Sequence, residues 1–128
     1  MIKGLGIDTV FVDRIENAAQ NPSFVKKCFS SAEIEIYKCK GKNAQFLAGN
    51  FAAKEAVAKA LGTGFSGFWP RDVEVLRDTL GKPYVNLLGA AKETAVQMGA
   101  TVIHVSITNT HTSASAVAIL ESRQTHEK

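Results

Sequence analysis

Only two cysteines, Cys28 and Cys39, occur in the 128 residues. Two are too few for a disulfide framework. Neither has a C-x-x-C partner or a close histidine, so zinc is not expected, and free thiols point to a cytoplasmic setting. No apolar run approaches the roughly 18 residues of a membrane span. Asp8 interrupts the N-terminal apolar stretch and no small-residue cleavage site follows, so no signal peptide is expected. The three histidines, His104, His111 and His126, form no metal-binding pair and no Ser–His–Asp order. Repeats, low-complexity segments and long linkers are also missing. What remains is 45% hydrophobic and 21% charged, the balance of one folded domain with a real core.

Charge is mild overall, +3, but unevenly placed. From Asn17 to Lys54 there are six lysines, Lys26, Lys27, Lys38, Lys40, Lys42 and Lys54, against two acids, Glu33 and Glu35. That excess exceeds the net charge of the whole chain. A solvated lysine-rich face would explain it, and so would a surface for an acidic partner.

Residues 2–12 alternate as a strand, with Leu5, Ile7, Thr9 and Phe11 on one face and Gly4, Gly6, Asp8, Val10 and Val12 on the other. Asp13 can cap a short helix carrying Arg14, Ile15 and Ala18. Pro22 breaks the pattern, which resumes over Phe24–Phe29, and Ser30 or Ser31 caps a helix through Tyr37. An Ala-rich helix from Ala44 to Leu61 stops at Gly62. It is apolar on two sides, with Glu55 and Lys59 on a face of small residues. One of its faces is therefore expected to need cover from outside the chain. Strands 72–77 and 83–88 flank a Gly81-Lys82 turn, a helix follows over 90–98, and strands 101–108 and 113–121 close the chain. The order β-ααα-ββ-α-ββ, rich in hairpins, predicts a mostly antiparallel α+β fold in a single domain over residues 1–121. The tail, residues 122–128 with His126, is expected to fray.

Three features point to chemistry. Asp8 places a carboxylate inside an Ile/Val strand, where it needs a cation, a metal or donors; an edge-strand aspartate facing water is the plain alternative. Glu55 and Lys59, spaced i, i+4, lie on one helix face, as in many ordinary helical ion pairs. One strand carboxylate and one helix carboxylate are also what Mg²⁺ asks of a protein whose substrate carries phosphate. Gly81-Lys82-Pro83 is either a plain hairpin turn or a lysine offered to a phosphate. His104 reads as a satisfied sheet residue, and both cysteines read as structural.

These residues together resemble the signature of the phosphopantetheinyl transferases. The pieces are Gly6-Ile7-Asp8 with Arg14-Ile15, the run Phe51-Ala52-Ala53-Lys54-Glu55-Ala56-Val57-Ala58-Lys59-Ala60, and Gly81-Lys82-Pro83. The single-domain length is similar to the short, holo-[acyl-carrier-protein] synthase type of that family, and the likeness runs from Ile2 to about Glu121. It implies that the phosphopantetheine arm of coenzyme A moves to a serine of apo-acyl carrier protein, releasing adenosine 3′,5′-bisphosphate, as in fatty acid biosynthesis.

The resemblance also implies site residues. Asp8 and Glu55 would be Mg²⁺ ligands, and Lys59 would neutralise phosphate. Gly81, Lys82 and Pro83 would border the nucleotide. Arg14 and the basic region after it, including Lys26 and Lys27, would dock acidic carrier protein. Many relatives carry His in the segment that reads Ser106-Ile107-Thr108-Asn109-Thr110 here. Asn109 and Thr110 are therefore assigned to coenzyme A binding, and His111 receives no catalytic role. The serine proton would go to Glu55 or to a water beside it. A chain of half the length of the members that work alone implies a homotrimer with sites between subunits. Neither nucleic acid nor membrane is expected as a partner. The competing readings are a basic nucleic-acid-binding module, which would interleave aromatics with the lysines, and a catalytically silent interaction subunit, which would lack Asp8 or Glu55.

Overall fold

The structure, a computed structural model, describes residues 1–123. Its elements are β1 (Ile2–Phe11), α1 (Val12–Ala18), α2 (Pro22–Cys28), α3 (Ser31–Cys39), α4 (Ala44–Ala60), a 3₁₀ turn (Pro70–Asp72), β2 (Val73–Arg77), β3 (Pro83–Leu87), α5 (Gly89–Gln97), β4 (Val102–Asn109) and β5 (Ser113–Glu121). Three strands form one antiparallel sheet in the order β1-β5-β4, and β2 pairs with β3 in a second. The α+β, antiparallel expectation therefore holds. Ser122 N donates to Met1 O and Arg123 N to Thr101 Oγ1, so edge contacts run two residues past Glu121. The rest of the expected tail, with His126, lies outside the described residues.

The helical half differs in two places. Pro22 does not merely interrupt a helix but begins one, at the position where a missing N–H costs nothing. Asn21 caps it by accepting from Ser23 N, so four helices, not three, precede the hairpin. Asp13 caps nothing: α1 starts one residue earlier, at Val12, and Asp13 lies within its first turn. Ser30, by contrast, caps α3 in a reciprocal box with Glu33, and Asn43 caps α4 by accepting from Gln45 N and Phe46 N.

Packing of α4 on β1 depends on two glycines. A Cβ added to Gly6 would overlap Ala56 O, and one added to Gly4 would overlap Ala60 O. The helix backbone thus rests directly on the strand. Farther up the same stripe of small residues, Gly49 meets Ile107 and Asn109 of β4. The opposite side of α4 is covered by the same chain: Asn50 Nδ2 donates to Val75 O, and Lys54 Nζ to Val73 O and Pro70 O. This corrects the expectation that α4 needs outside cover. Ala48, Ala52, Ala56 and Val57 are all fully buried within the single chain. The uncovered apolar surface is instead the outer face of the three-stranded sheet. There Leu5, Ile7 and Phe11 are 65%, 66% and 58% exposed, and Leu5 and Ile7 lie opposite Ile119 and Val117.

Gly6→Ala should therefore push α4 off β1. Overpacking of this kind costs about 1–3 kcal/mol, occasionally more. Because Asp8 is the next inward residue on β1, activity should fall further than stability alone explains. Thermal melts beside assays at a temperature where both proteins are folded would check this.

Candidate active site

The alternation of β1 places Asp8 two residues beyond Gly6 on the face that meets α4. Glu55 and Lys59 stand one helical turn apart on that helix. Lys59 Nζ donates to Asp8 Oδ1 at 2.9 Å and to Ile7 O at 3.1 Å. The Asp8 side chain is only 14% exposed, whereas that of Lys59 is 53% exposed and keeps a donor for solvent or a ligand. The bond to Asp8, with its negative charge, raises the Lys59 pKa. Burial, and secondarily the charge of Asp8, raises that of Glu55, while Lys59 offsets part of the shift.

Asp8 and Glu55 face one cavity of about 360 Å³, with Arg14 of α1 on its rim and Phe24 and Phe51 in its wall. Among the described residues no third His, Cys, Asp or Glu joins them in a metal-binding group. Two hard oxygen donors from different elements, beside room for water and phosphate, suit an ion that keeps part of its own shell.

The other candidates gather elsewhere. Asn109 Nδ2 donates to Gln45 O and Gln45 Nε2 to Thr110 O, which fixes the strand end on the first turn of α4. Ten residues of helix separate Gln45 from Glu55, about 15 Å of rise. In the β2–β3 turn, Asp78 Oδ1 accepts from Leu80 N and Lys82 N, and Gly81 takes a positive φ of 88°. Pro83 lies opposite Arg77, whose guanidinium stands 5.3 Å over the Phe46 ring, again at the start of α4. One chain thus carries two separated groups: Asp8, Glu55, Lys59 and Arg14 along the later turns of α4, and the Lys82 turn with Asn109 and Thr110 at its beginning.

Lys26 and Lys27 point to different places. Lys27 lies 5.8 Å over the Trp69 ring, while Lys26 lines a groove between α2 and α3. His104 sits on the open sheet face, 2.8 Å from Glu121. Cys28 is buried and its thiol pKa is raised, chiefly by burial, which keeps it protonated and inert.

Sequence reasoning missed the role of Lys54. It is fully buried and donates to Glu33 Oε1 at 2.6 Å, and Asn50 Nδ2 donates to Glu33 Oε2 at 2.9 Å. The ammonium also stands 5.3 Å over Phe29, which packs against Phe24 and Phe51 of the cavity wall. The available signal was a lysine amid alanines, one position before Glu55, in a stretch with few carboxylates.

The profile of the 4′-phosphopantetheinyl transferase superfamily matches residues 4–123. The chain belongs to that superfamily. As a member it is a transferase, of the short holo-[acyl-carrier-protein] synthase type. It is 49% identical over 122 residues to the holo-[acyl-carrier-protein] synthase of Clostridium novyi (strain NT), covering 94% of this chain and 88% of that one. Among solved structures, it is similar to the acyl carrier protein synthase of Plasmodium yoelii with ADP bound, with a TM-score of 0.88 and 33% identity, covering 97% and 98% of the two chains. It is also similar to the holo-(acyl-carrier-protein) synthase of Bacillus anthracis in complex with CoA (3′,5′-ADP), with a TM-score of 0.79 and 33% identity over 96% and 99%.

Proposed function

We propose that this transferase moves the phosphopantetheine arm of coenzyme A to a serine of apo-acyl carrier protein in a Mg²⁺-dependent reaction. The observation that carries this reading is the convergence of Asp8 and Glu55 on one cavity, with Lys59 bonded to Asp8 beside them, brought about by glycine-mediated packing of α4 on β1. The serine oxygen forms a bond to the β-phosphorus of coenzyme A. The bond from that phosphorus to the bridging oxygen breaks, adenosine 3′,5′-bisphosphate leaves, and the serine proton passes to a base. Glu55, with its raised proton affinity, is our candidate base.

Asp8 and Glu55 are the residues that would hold Mg²⁺. When bound, the ion supplies positive charge to the pyrophosphate and the leaving phosphate. Lys59 turns its exposed donor toward the same charge, and Arg14 at the rim meets the acidic carrier protein. Displacement at phosphorus gains most from such positioning and charge neutralisation. A cytoplasmic role in fatty acid biosynthesis belongs to the same reading. The test is to mix the protein with apo-acyl carrier protein, coenzyme A and Mg²⁺ and weigh the product. The mass of one phosphopantetheine should be gained, and a chelator should abolish the gain. No mass change across several apo-carrier proteins, with the protein folded, would refute the reading.

The same proposal includes a homotrimer. Its support is now the open sheet face, because a surface this apolar favours association; the number three comes from the family resemblance. Asp8, Glu55 and Lys59 of one subunit would complete a site with the Lys82 turn, Asn109 and Thr110 of its neighbour. Ile7→Glu should give monomers by light scattering and remove most activity. Mixing inactive Glu55→Ala and Lys82→Ala chains should restore part of it, since some mixed sites would be intact. An active monomer at assay concentration would sink the assembly, and no rescue between exchanging subunits would put all essential groups on one chain.

A further inference from the structure

Helix α4 is clamped along one row of side chains and lines the cavity with the next. Asn50 and Lys54, spaced i, i+4, form the clamped row. Phe51 and Glu55, one position farther along, both line the Asp8 cavity. The two rows lie about 100° apart around the helix axis.

On the β1 side the helix backbone rests on Gly4 and Gly6. Backbone on backbone brings the elements close, but it gives no side-chain interlock to fix how far the helix is turned about its axis. The clamped row supplies that with directed bonds. Lys54 Nζ donates to Glu33 Oε1, Val73 O and Pro70 O, and Asn50 Nδ2 donates to Glu33 Oε2 and Val75 O. The acceptors come from α3, the 3₁₀ turn and β2. The ammonium also stands 5.3 Å over Phe29, whose ring packs on Phe24 and Phe51 of the cavity wall.

Stability alone is a poor reason for this arrangement. Glu33, Asn50 and Lys54 are all fully buried, and well-packed apolar side chains often stabilise a core as well as a buried ion pair does. Asn50 Oδ1 has no hydrogen-bond partner among the described residues, a cost that an apolar side chain would not carry. What this row has, and an apolar row would lack, is direction.

We infer that Lys54 and Asn50 are positioning residues of the transfer reaction: with Glu33 they fix the rotation of α4 and so the place of the Glu55 carboxylate beside Asp8. The inference rests on the transferase reading above, in which Glu55 would hold Mg²⁺. A turn of about 20° about the helix axis would carry a side chain at a radius of about 5 Å by about 2 Å. A misplacement of about 1 Å can lower a rate by about 10²-fold. Lys54 lines no part of the cavity and acts through the helix.

The experiment compares wild type, Glu33→Gln/Lys54→Met and Asn50→Ala at a temperature where circular dichroism shows each one folded. It measures kcat, the KM for both substrates, and Mn²⁺ binding with coenzyme A present, read from the electron paramagnetic resonance of the free ion. The double variant should lower kcat and Mn²⁺ affinity by about tenfold each, as loss of groups that orient metal ligands does, and leave the carrier KM within about twofold. Asn50→Ala, which keeps the ion pair, should show the same pattern at about threefold and decides the matter if the double variant does not fold. A lysine that only held the core together would not lower kcat and metal affinity in folded protein. An active wild type beside folded variants whose kcat and Mn²⁺ affinity both match it overturns the positioning role alone. A wild type that binds Mn²⁺ yet transfers nothing to any carrier protein overturns the reaction, and the role in transfer with it.

Discussion

Asp8→Ala and Glu55→Ala should each lower transfer by two or more orders of magnitude while leaving the fold in place. Both carboxylates face a cavity, and the single ion pair that ties Asp8 to α4 is made with a half-exposed Lys59, so circular dichroism and the melting transition should stay close to wild type. Asp8→Asn should be nearly as damaging, because a neutral amide is a poor magnesium ligand. It would also weaken the charge-assisted bond from Lys59. The pH profile adds an independent check. Burial and the charge of Asp8 raise the Glu55 pKa, so activity should fall on acidification at a higher pH than an ordinary glutamate would set. A protonated carboxyl is a poor ligand and no base, so higher Mg²⁺ should shift this limb to lower pH. Near-wild-type rates for either Ala variant at low Mg²⁺ would remove that residue from the site.

The largest effect on stability should come from Lys54→Ala. It leaves the Glu33 carboxylate buried without its cation and strips a donor from Val73 O and Pro70 O. Breaking a buried pair on one side costs about 3–5 kcal/mol, a large part of the stability of a domain this size. The double variant Lys54→Met/Glu33→Gln should be less damaged. It removes both charges together and keeps an acceptor for the N–H of Ser30. Urea midpoints measured at a single protein concentration would decide, since association would otherwise shift them. Equal losses in the two variants would mean that the ion pair is not what holds this region.

The faces of β1 and the limits of α4 were legible because alternation and end signals are local: Gly4, Gly6 and Asp8 on one side, and a stop at Gly62. The cap of α3 was narrowed to Ser30 or Ser31 for the same reason, and the reciprocal box with Glu33 decides for Ser30. Proline signals were not legible, because Pro22 as a helix breaker and Pro22 as a first helical residue look alike until Asn21 is seen to cap. The cover of α4 was misjudged because periodicity shows which residues want company but not what supplies it. The β2 strand and the turn before it, far along the chain, cover the side that Asn50 and Lys54 occupy. Lys54 itself was unreadable as a buried group, since its partner Glu33 lies 21 residues away and a lysine on an Ala-rich helix ordinarily reaches water. The candidate residues could be named from the sequence; that they lie in two groups at opposite ends of α4 could not.

The strand β1 writes two messages on alternate residues. Gly4, Gly6 and Asp8 are addressed to the helix, and Leu5, Ile7 and Phe11 to the outside. This makes the strand sensitive to reading frame in the protein sense. One residue inserted between Gly6 and Asp8 would turn the aspartate out onto the apolar face, and a hydrophobic side chain would take its place beside Glu55. Two inserted residues would restore the parity and displace Asp8 along the helix by about 6–7 Å. The interval from the helix-bearing glycines to the aspartate must therefore stay fixed in length.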